Sequence, residues 1–577
     1  MMPAKKFFFS VLIVALFASL SVFGDGVPIL EYGDRFHPQM GQGGMVVSQE
    51  QIASRVGADI LAQGGNAVDA AVATGFALAV TLPQAGNLGG GGFMLIHLSE
   101  ENRSIAIDYR EMAPAAAHAD LFVNDSGKVD ANLARSSALS SGVPGTVAGL
   151  VHVQKKYGVL PLGTVMAPAI ALAKKGFPVS YPLAWSLEES QARLKKHPTS
   201  ARYFYHSDGS TFKPGHIWRQ PDLAATLDRI ARSHGRDFYE GTTAAMIVEE
   251  MAKMAGAITL EDLKNYRVVE REPVVGTYRE HSIVSMPPPS SGGIHLIQML
   301  NILEGWDLAA LGHNSSNYIH RLVEAMRRAY ADRSEYLGDP DFVAVPVEKL
   351  VAKPYAATLR DGIALSQATD SAQVKPGLTL YEESPQTTHY SVWDKDGNVV
   401  SNTYTLNFSY GNGISVTGAG FLLNNEMDDF SAKAGVPNAY GLVGNAANAI
   451  APGKRPLSSM TPVIVLKEGN PVLVTGSPGG SRIITSVLQM VLNVVDFNMN
   501  VAEATAAPRI HHQWLPDVLY VEKGIGVDTL ERLRAMGHSI ETTSWSMGKT
   551  QSITTKDSLF MGVSDYRWPG GSAESAD

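Results

Sequence analysis

The chain has 577 residues, of which 45% are hydrophobic and 18% are charged, and its formal net charge is −9. This composition is typical of a globular protein with a substantial core and excludes a disordered chain. The acidic balance offers no electrostatic basis for binding nucleic acid or an anionic membrane surface. We therefore expect neither as a partner.

The N-terminus has the pattern of a cleavable secretory signal. Lys5 and Lys6 precede the apolar run FFFSVLIVALFASLSVF, and small residues follow near positions 19 to 24. An uncleaved anchor is less favoured, because the run contains three serines and is short for a membrane span. We predict a signal peptide over residues 1–24 and a periplasmic or secreted protein with no membrane association after cleavage. The chain has no cysteine, so it contains no disulfide.

Two helices are predicted after the signal. Ser48 and Gln51 have the spacing of a capping box ahead of apolar residues that recur at helical intervals. Asn66 and Asp69 repeat that spacing before AAVATGFALAV, which is apolar on every side and is therefore expected in the core. The glycines at 89–92 precede a strand and lack the lysine of a phosphate loop. We interpret them as close backbone packing or a turn that lines a site.

Thr387 lies where a linker-like segment meets a strong hairpin pattern. Residues 367–386 are polar and contain two prolines and one glycine. The segments HYSVWD and VVSNTYTL follow and flank the turn KDGN. A Thr-Thr pair at such a junction most often just begins a strand.

The hairpin pattern also predicts the neighbours of Thr387. With the DG pair at the tip, Thr388 is expected opposite Thr405, and Thr387 opposite Leu406. A one-residue bulge would change this register. In either register, Thr405 and Asn407 return beside Thr387 on the neighbouring strand.

An N-terminal threonine would supply two parts of an acyl-transfer site. A cut before Thr387 would give that residue a hydroxyl nucleophile and a free α-amine, whose pKa of about 7.7 to 8.0 suits a base near neutral pH. Candidate oxyanion donors are backbone amides at Gly479 and Gly480, since glycine leaves the main chain accessible. The sequence contains no HExxH, CxxC or GxSxG motif. We therefore predict neither a metal nor an organic cofactor.

Dispersed motifs carry a specific resemblance to a known family. They are GGNAVDAAVA, NLGGGGFM, DYREMAP, MPPPSSGGIH, DRSEYLGDPDF, QTTHYSV, NNEMDDF, KRPLSSM and GSPGGSRI. In them the chain resembles the γ-glutamyltranspeptidases, which are N-terminal-nucleophile hydrolases. The resemblance implies an α/β fold, a four-layer αββα sandwich. Self-cleavage between Gln386 and Thr387 would leave a large subunit, residues 25–386, and a small subunit, residues 387–577, as a heterodimer interleaved in one domain.

The resemblance also implies which groups react. Thr387 would be the nucleophile, and Thr405 would hydrogen-bond its hydroxyl. Viewed alone, Thr405 would more simply be a β-forming residue. Gly479 and Gly480 would hold the oxyanion. The Thr387 hydroxyl would first attack the carbonyl carbon of Gln386 during maturation, and later the γ-amide of the substrate.

Further residues are implied to recognise a γ-glutamyl group, with a cation and hydroxyls at one end and carboxylates at the other. They are Arg110, Ser458 and Ser459 for the α-carboxylate, Asn407, Glu426 and Asp429 for the α-ammonium group, and Tyr440 as the gate of a lid loop. Glu426 replaces the glutamine of some relatives and adds a charge that suits an ammonium group. Charge-assisted hydrogen bonds of about 1.5 to 3 kcal/mol each would supply the discrimination.

The expected activity is transfer of the γ-glutamyl group of glutathione, through an ester on Thr387, to water or to an amino acid or peptide. The alternatives are a glutaryl-cephalosporin acylase, a poly-γ-glutamate-processing enzyme, and a secreted scaffold that has lost activity. A glutaryl amide has no ammonium group for Glu426 and Asp429, which disfavours the first. The lid loop favours small substrates over polymers, and the presence of Thr387 and Arg110 disfavours an inactive scaffold.

Overall fold

A computed structural model of the chain describes residues 34–374, 387–433 and 446–577. The predicted signal peptide, the cleavage-site residue Gln386 and the lid residue Tyr440 lie outside the described residues. No helix in the described ranges is long and apolar enough to cross a membrane.

Most strands of the described residues belong to two large sheets. In chain order the strands are β1 (Gln39–Gly41), β2 (Gly44–Ser48), β3 (Gly91–Leu98), β4 (Arg103–Tyr109), β5 (Phe177–Pro178), β6 (Ile217–Trp218), β7 (Val269–Arg271), β8 (Val274–Tyr278), β9 (His281–Ser285), β10 (Thr388–Asp394), β11 (Val399–Thr405), β12 (Val463–Lys467), β13 (Asn470–Thr475), β14 (Ile510–His511), β15 (Leu519–Val521), β16 (Ile540–Thr542), β17 (Gln551–Lys556), β18 (Leu559–Ser564) and β19 (Ser572–Ser575).

Helices cover the outer faces of these sheets, and residues 146–265 are mainly helical apart from loops and the short strands β5 and β6. They are α1 (Gln51–Ala62), α2 (Ala67–Thr81), α3 (Ala131–Ser136), α4 (Thr146–Tyr157), α5 (Leu162–Lys175), α6 (Tyr181–Glu189), α7 (Gln191–Leu194), α8 (Pro198–Phe204), α9 (Pro221–Ser233), α10 (Arg236–Glu240), α11 (Thr242–Lys253), α12 (Leu260–Asn265), α13 (Gly292–Leu303), α14 (Leu308–Leu311), α15 (Ser316–Tyr336), α16 (Val347–Leu350), α17 (Lys353–Asp361), α18 (Arg482–Val495), α19 (Val501–Ala506) and α20 (Val527–Ala535).

Within the described residues, the two large sheets have seven strands each and pack face to face. The first sheet has the order β1-β18-β17-β13-β12-β9-β8, and the second has the order β19-β2-β10-β11-β3-β4-β7. In β2, Met45 and Val47 enter the core shared with the first sheet, whereas Val46 enters the core beneath α1 and α2. Successive residues of a strand point to opposite faces of the sheet. Because both faces of this sheet are covered, the residues that point to either face are apolar. The αββα sandwich follows.

The buried helix predicted from AAVATGFALAV is confirmed as α2, all of whose residues are buried. Its capping box is also confirmed, since the Asn66 side chain accepts from the amide of Asp69, and the Asp69 carboxylate accepts from the amide of Asn66. The cap predicted for α1 is wrong. Glu50 caps that helix by accepting from the Ala53 amide, because Ser48 is still part of β2.

The register of the β10–β11 hairpin differs from the prediction by one residue. Thr388 lies opposite Tyr404, not Thr405. The loop holds three residues, 395–397, because the Asp394 amide donates to the Asn398 carbonyl at 3.0 Å. This longer loop brings Thr387, one residue before the strand, beside Thr405 instead of Leu406.

The glycine run at 89–92 is confirmed as a site of close backbone packing. A Cβ atom on Gly90 would lie 1.9 Å from the carbonyl oxygen of Thr405, at the end of β11. Any side chain there would push β11 away from the start of β3.

Candidate active site

Chain segments from both sheets meet at one edge of the sandwich. In the second sheet, Thr387 precedes β10, Thr405 ends β11 and Arg110 follows β4. Because these strands alternate in direction, their ends lie on the same edge. A cavity at this edge is lined by predicted site residues: Arg110, Thr387, Thr405, Asn407, Glu426, Asp429, Ser458, Ser459 and Gly480. The described part of the chain therefore brings these distant positions together.

Thr387 is 6% exposed and lies at the centre of this edge. Its Oγ1 shares a hydrogen bond with Thr405 Oγ1 at 3.3 Å. Thr405 Oγ1 also accepts from the Asn407 amide at 2.8 Å, and the Thr405 carbonyl accepts from Asn87 Nδ2 at 3.0 Å. The hydroxyl of Thr387 is thus held against a side chain whose own position is well determined.

The segment Gly479-Gly480 connects β13 to α18 and approaches the cavity with its main chain. Gly479 has φ +138° and Gly480 has φ +58°, in the region that side chains disfavour. Their amides donate no hydrogen bond to any other described residue. They lie directly before the first turn of α18, where helix N–H groups favour negative charge. Gly480 lines the cavity, whereas the preceding residue, Gly479, is not among the residues that line the cavity.

Arg110 is fully buried and is held by acidic groups on its guanidinium. Its Nη1 contacts Glu426, and its Nη2 donates to Asp429 Oδ2 at 2.6 Å. The backbone of Arg110 is also fixed, because its amide donates to Asp108 Oδ1 at 3.0 Å and its carbonyl accepts from the Tyr266 hydroxyl at 2.9 Å. Burial lowers the pKa of Arg110, but the neighbouring carboxylate charges outweigh burial and raise it above its ordinary value.

The expectation that cation and carboxylates lie at two separate ends is wrong. Arg110 contacts Glu426 and Asp429 directly, so both polarities lie side by side in one subsite. The physical reason is that Glu426 and Asp429 lie on one short 3₁₀ turn, and both side chains contact the guanidinium of Arg110, the residue that follows β4. The α-carboxylate and α-ammonium groups of an amino acid share one carbon, and this adjacency matches them.

Similarity to known proteins identifies the family of this chain. A sequence model of γ-glutamyltranspeptidases matches residues 53–575. The chain belongs to the γ-glutamyltranspeptidase family. It is 53% identical to the glutathione hydrolase proenzyme of Escherichia coli (strain K12) over 544 residues, which cover 94% of this chain and 93% of that protein.

Acylases are also related to this member of the γ-glutamyltranspeptidase family. The chain is 38% identical to the acylase ACY 1 proenzyme of Pseudomonas sp. (strain V22) over 542 residues, 92% of this chain and 94% of that protein. The crystal structure of a cephalosporin acylase from Bacillus halodurans superposes with a TM-score of 0.83 at 28% identity, covering 95% of this chain and 98% of that one. These likenesses confirm the predicted sandwich of the N-terminal-nucleophile hydrolase type.

Asn424 positions the acidic turn, and the sequence did not point to it. Its Oδ1 accepts from the amides of Gly142 and Glu426, and its Nδ2 donates to the carbonyls of Gly89 and Gly142. Every hydrogen-bonding group of this buried amide is used. In the sequence, the run NNEMDD resembles an acidic surface loop, and only the apolar FLL before it indicates burial.

Glu111 adds a third carboxylate to the subsite, and it was also not predicted. It is fully buried, and its Oε2 lies 3.6 Å from Arg110 Nη1. Neither of its oxygens has a hydrogen-bond partner among the described residues. Burial raises the pKa of Glu111 from 4.5 to about 7, and burial also raises that of Glu426 well above its usual range. Glu111 and Glu426 are therefore easily protonated.

This arrangement predicts that Glu111 makes the protein less stable as pH rises. A carboxyl whose pKa is raised by folding stabilises the protein fully below pH 4.5 and loses that contribution as pH rises through about 7. We expect the Glu111→Gln variant to gain about 3 kcal/mol of unfolding free energy relative to wild type between pH 4.5 and 8. Denaturant unfolding at both pH values measures this change. Any effect of the substitution that does not depend on pH is the same at both values and cancels in the comparison.

The exposed Glu280 provides a matched control, because its side chain is 81% accessible. Glu280→Gln should follow the wild-type pH dependence. If the unfolding free energies of Glu111→Gln and wild type changed equally from pH 4.5 to 8, the raised pKa of Glu111 would be contradicted.

Proposed function

We propose that the protein is a γ-glutamyltransferase and glutathione hydrolase that uses Thr387 as its nucleophile. The observation that carries this proposal is the buried contact of Arg110 with Glu426 and Asp429 in the cavity that contains Thr387. A γ-glutamyl group is an acyl group that ends in an α-amino acid. The subsite offers a cation to its carboxylate and carboxyl oxygens to its ammonium group.

Binding exchanges the internal ion pairs for pairs with the substrate. The substrate α-carboxylate takes the guanidinium of Arg110 and the hydroxyls of Ser458 and Ser459. The α-ammonium group takes Glu426 and Asp429, which it frees from Arg110. Each buried charge of the enzyme keeps a partner throughout. These charged side chains are already desolvated in the free enzyme, so binding does not have to remove water from them.

The chemistry then takes place at the other end of the γ-glutamyl chain. Thr387 Oγ1 attacks the γ-carbonyl carbon, and the Thr387 α-amine accepts the hydroxyl proton. The amides of Gly479 and Gly480 stabilise the oxyanion. The amine passes its proton to the leaving nitrogen, the amide C–N bond breaks, and the γ-glutamyl ester of Thr387 remains. Water or an amino acid or peptide then attacks the ester and restores the free hydroxyl.

We extend the proposal to maturation and location. The Thr387 hydroxyl attacks the carbonyl carbon of Gln386, an N-to-O shift forms an ester, and water releases a large subunit, 25–386, from a small one, 387–577. The proenzyme names of the relatives support this step. The signal pattern over residues 1–24 supports export to the periplasm or the medium.

The proposal is tested by comparing the p-nitroanilides of γ-glutamate and glutarate, which differ only in the α-ammonium group. We expect kcat/KM to favour the γ-glutamyl compound by about 10²-fold or more, since hydrogen bonds between charged groups contribute about 1.5 to 3 kcal/mol each. In Asp429→Asn this preference should shrink while the glutaryl rate stays nearly constant.

The same assay separates the competing functions. A preference for the glutaryl compound would identify an acylase, which the related acylases make the leading alternative. A correctly cleaved protein inactive on both compounds would indicate a scaffold.

A further inference from the structure

A second arginine, Arg333, lines the same cavity as Thr387. It lies near the end of α15 and is 5% exposed. Its Nε donates to Ser291 Oγ at 2.9 Å, and its Nη2 donates to Ser459 Oγ at 3.1 Å. The guanidinium therefore connects the helix to the segment that carries both predicted carboxylate-binding serines.

Arg333 also reaches Ser458, through Ser291. The Ser291 hydroxyl accepts from Arg333 and donates to the Ser458 carbonyl at 2.7 Å. The Ser291 amide donates to the same carbonyl at 2.8 Å. Arg110 holds the preceding residues, since its Nε donates to the Pro456 carbonyl at 3.2 Å. The serine segment is thus supported by one arginine at each end.

The hydroxyls of Ser458 and Ser459 are left as donors. Ser459 Oγ accepts from Arg333, and Ser458 Oγ accepts from the Met460 amide at 3.1 Å. Within the described residues, neither hydroxyl donates a hydrogen bond in return. A hydroxyl oxygen that accepts a hydrogen bond from a cation directs its own proton away from that cation. Both serines line the cavity, so their protons are available to an anion inside it.

We propose that Arg333 is a positioning residue for the α-carboxylate of the substrate, because it holds Ser459 directly, and Ser458 through Ser291, with their hydroxyl protons available to that carboxylate. The inference rests on the proposed γ-glutamyl function. In this inference Arg333 acts through the two serines, whereas Arg110 contacts the substrate itself.

The test is the kinetics of Arg333→Gln on γ-glutamyl-p-nitroanilide and on 4-aminobutyryl-p-nitroanilide, which lacks the α-carboxylate. With the first, we expect KM to rise about 10- to 100-fold and kcat to change by less than about threefold. With the second, KM should stay near the wild-type value. Self-cleavage should also stay unchanged, whereas a general loss of structure would lower it.

A double-mutant cycle tests whether Arg333 acts through Ser459. The combined loss in Arg333→Gln with Ser459→Ala should be smaller than the product of the two single losses. Losses that multiply fully would overturn the inference. Arg328→Gln is the matched control, since Arg328 lies on the same helix but bonds Glu324. It should lower stability and leave KM unchanged.

The remaining outcomes are also decisive. If Arg333→Gln fails to fold, Arg333→Lys replaces it, and an unchanged KM in Arg333→Lys overturns the inference. A parallel fall of kcat, self-cleavage and melting temperature in a folded variant overturns it as well. A wild type with no γ-glutamyl activity would contradict the proposed function, whereas an Arg333 variant with normal KM beside an active wild type contradicts this inference alone.

Discussion

Thr387→Ala is expected to remain a single uncut chain with no γ-glutamyl transfer activity. The variant lacks the hydroxyl that lies 3.3 Å from Thr405 Oγ1. The other hydroxyls in the described part of the cavity cannot replace it, because none belongs to a residue that cleavage would leave with a free α-amine. Wild type should give two fragments, the smaller beginning TTHYSV. Intact mass and N-terminal sequencing measure both results, and the activity should fall by at least about 10⁴-fold.

The neighbouring Thr388 offers a matched control. It is fully buried on β10, and its hydroxyl has no hydrogen-bond partner among the described residues. Thr388→Ala should therefore cleave normally. Fragments beginning at the same position in Thr387→Ala would contradict the role of Thr387, and an uncut chain in both wild type and variant would favour the inactive scaffold.

Arg110→Met should have the second-largest effect, on both binding and stability. It removes the cation that pairs with Glu426, Asp429 and Glu111, and breaking a buried ion pair costs about 3 to 5 kcal/mol. The stability loss should be greater at pH 8 than at pH 5, because Glu111 and Glu426 can take up protons at lower pH. Any folded variant should show a KM for γ-glutamyl-p-nitroanilide raised by about 10²-fold or more.

Arg110→Lys separates the two effects. A lysine keeps the positive charge but loses the fork that reaches two carboxylates at once. It should recover part of the stability while KM stays high. An equal stability loss of Arg110→Met relative to wild type at pH 5 and pH 8 would show that the ionisation of Glu111 and Glu426 does not depend on this arginine.

Local patterns in the sequence determined several features directly. The Asn66 capping box and the apolar sequence behind it predicted α2 because both depend on contacts within a few residues. The turn residues predicted the β10–β11 hairpin for the same reason, and with it the return of Thr405 beside Thr387. The exact register was not predictable, since it depends on whether one residue joins the loop.

Only the tertiary structure decided how the substrate subsite is built. Arg110 and Glu426 are 316 positions apart, and their contact depends on the fold bringing a 3₁₀ turn beside the residue that follows β4. The roles of Asn424, Glu111 and Arg333 likewise come from burial at a shared edge. No local periodicity encodes which buried polar groups become partners, because that is decided by how the two sheets pack.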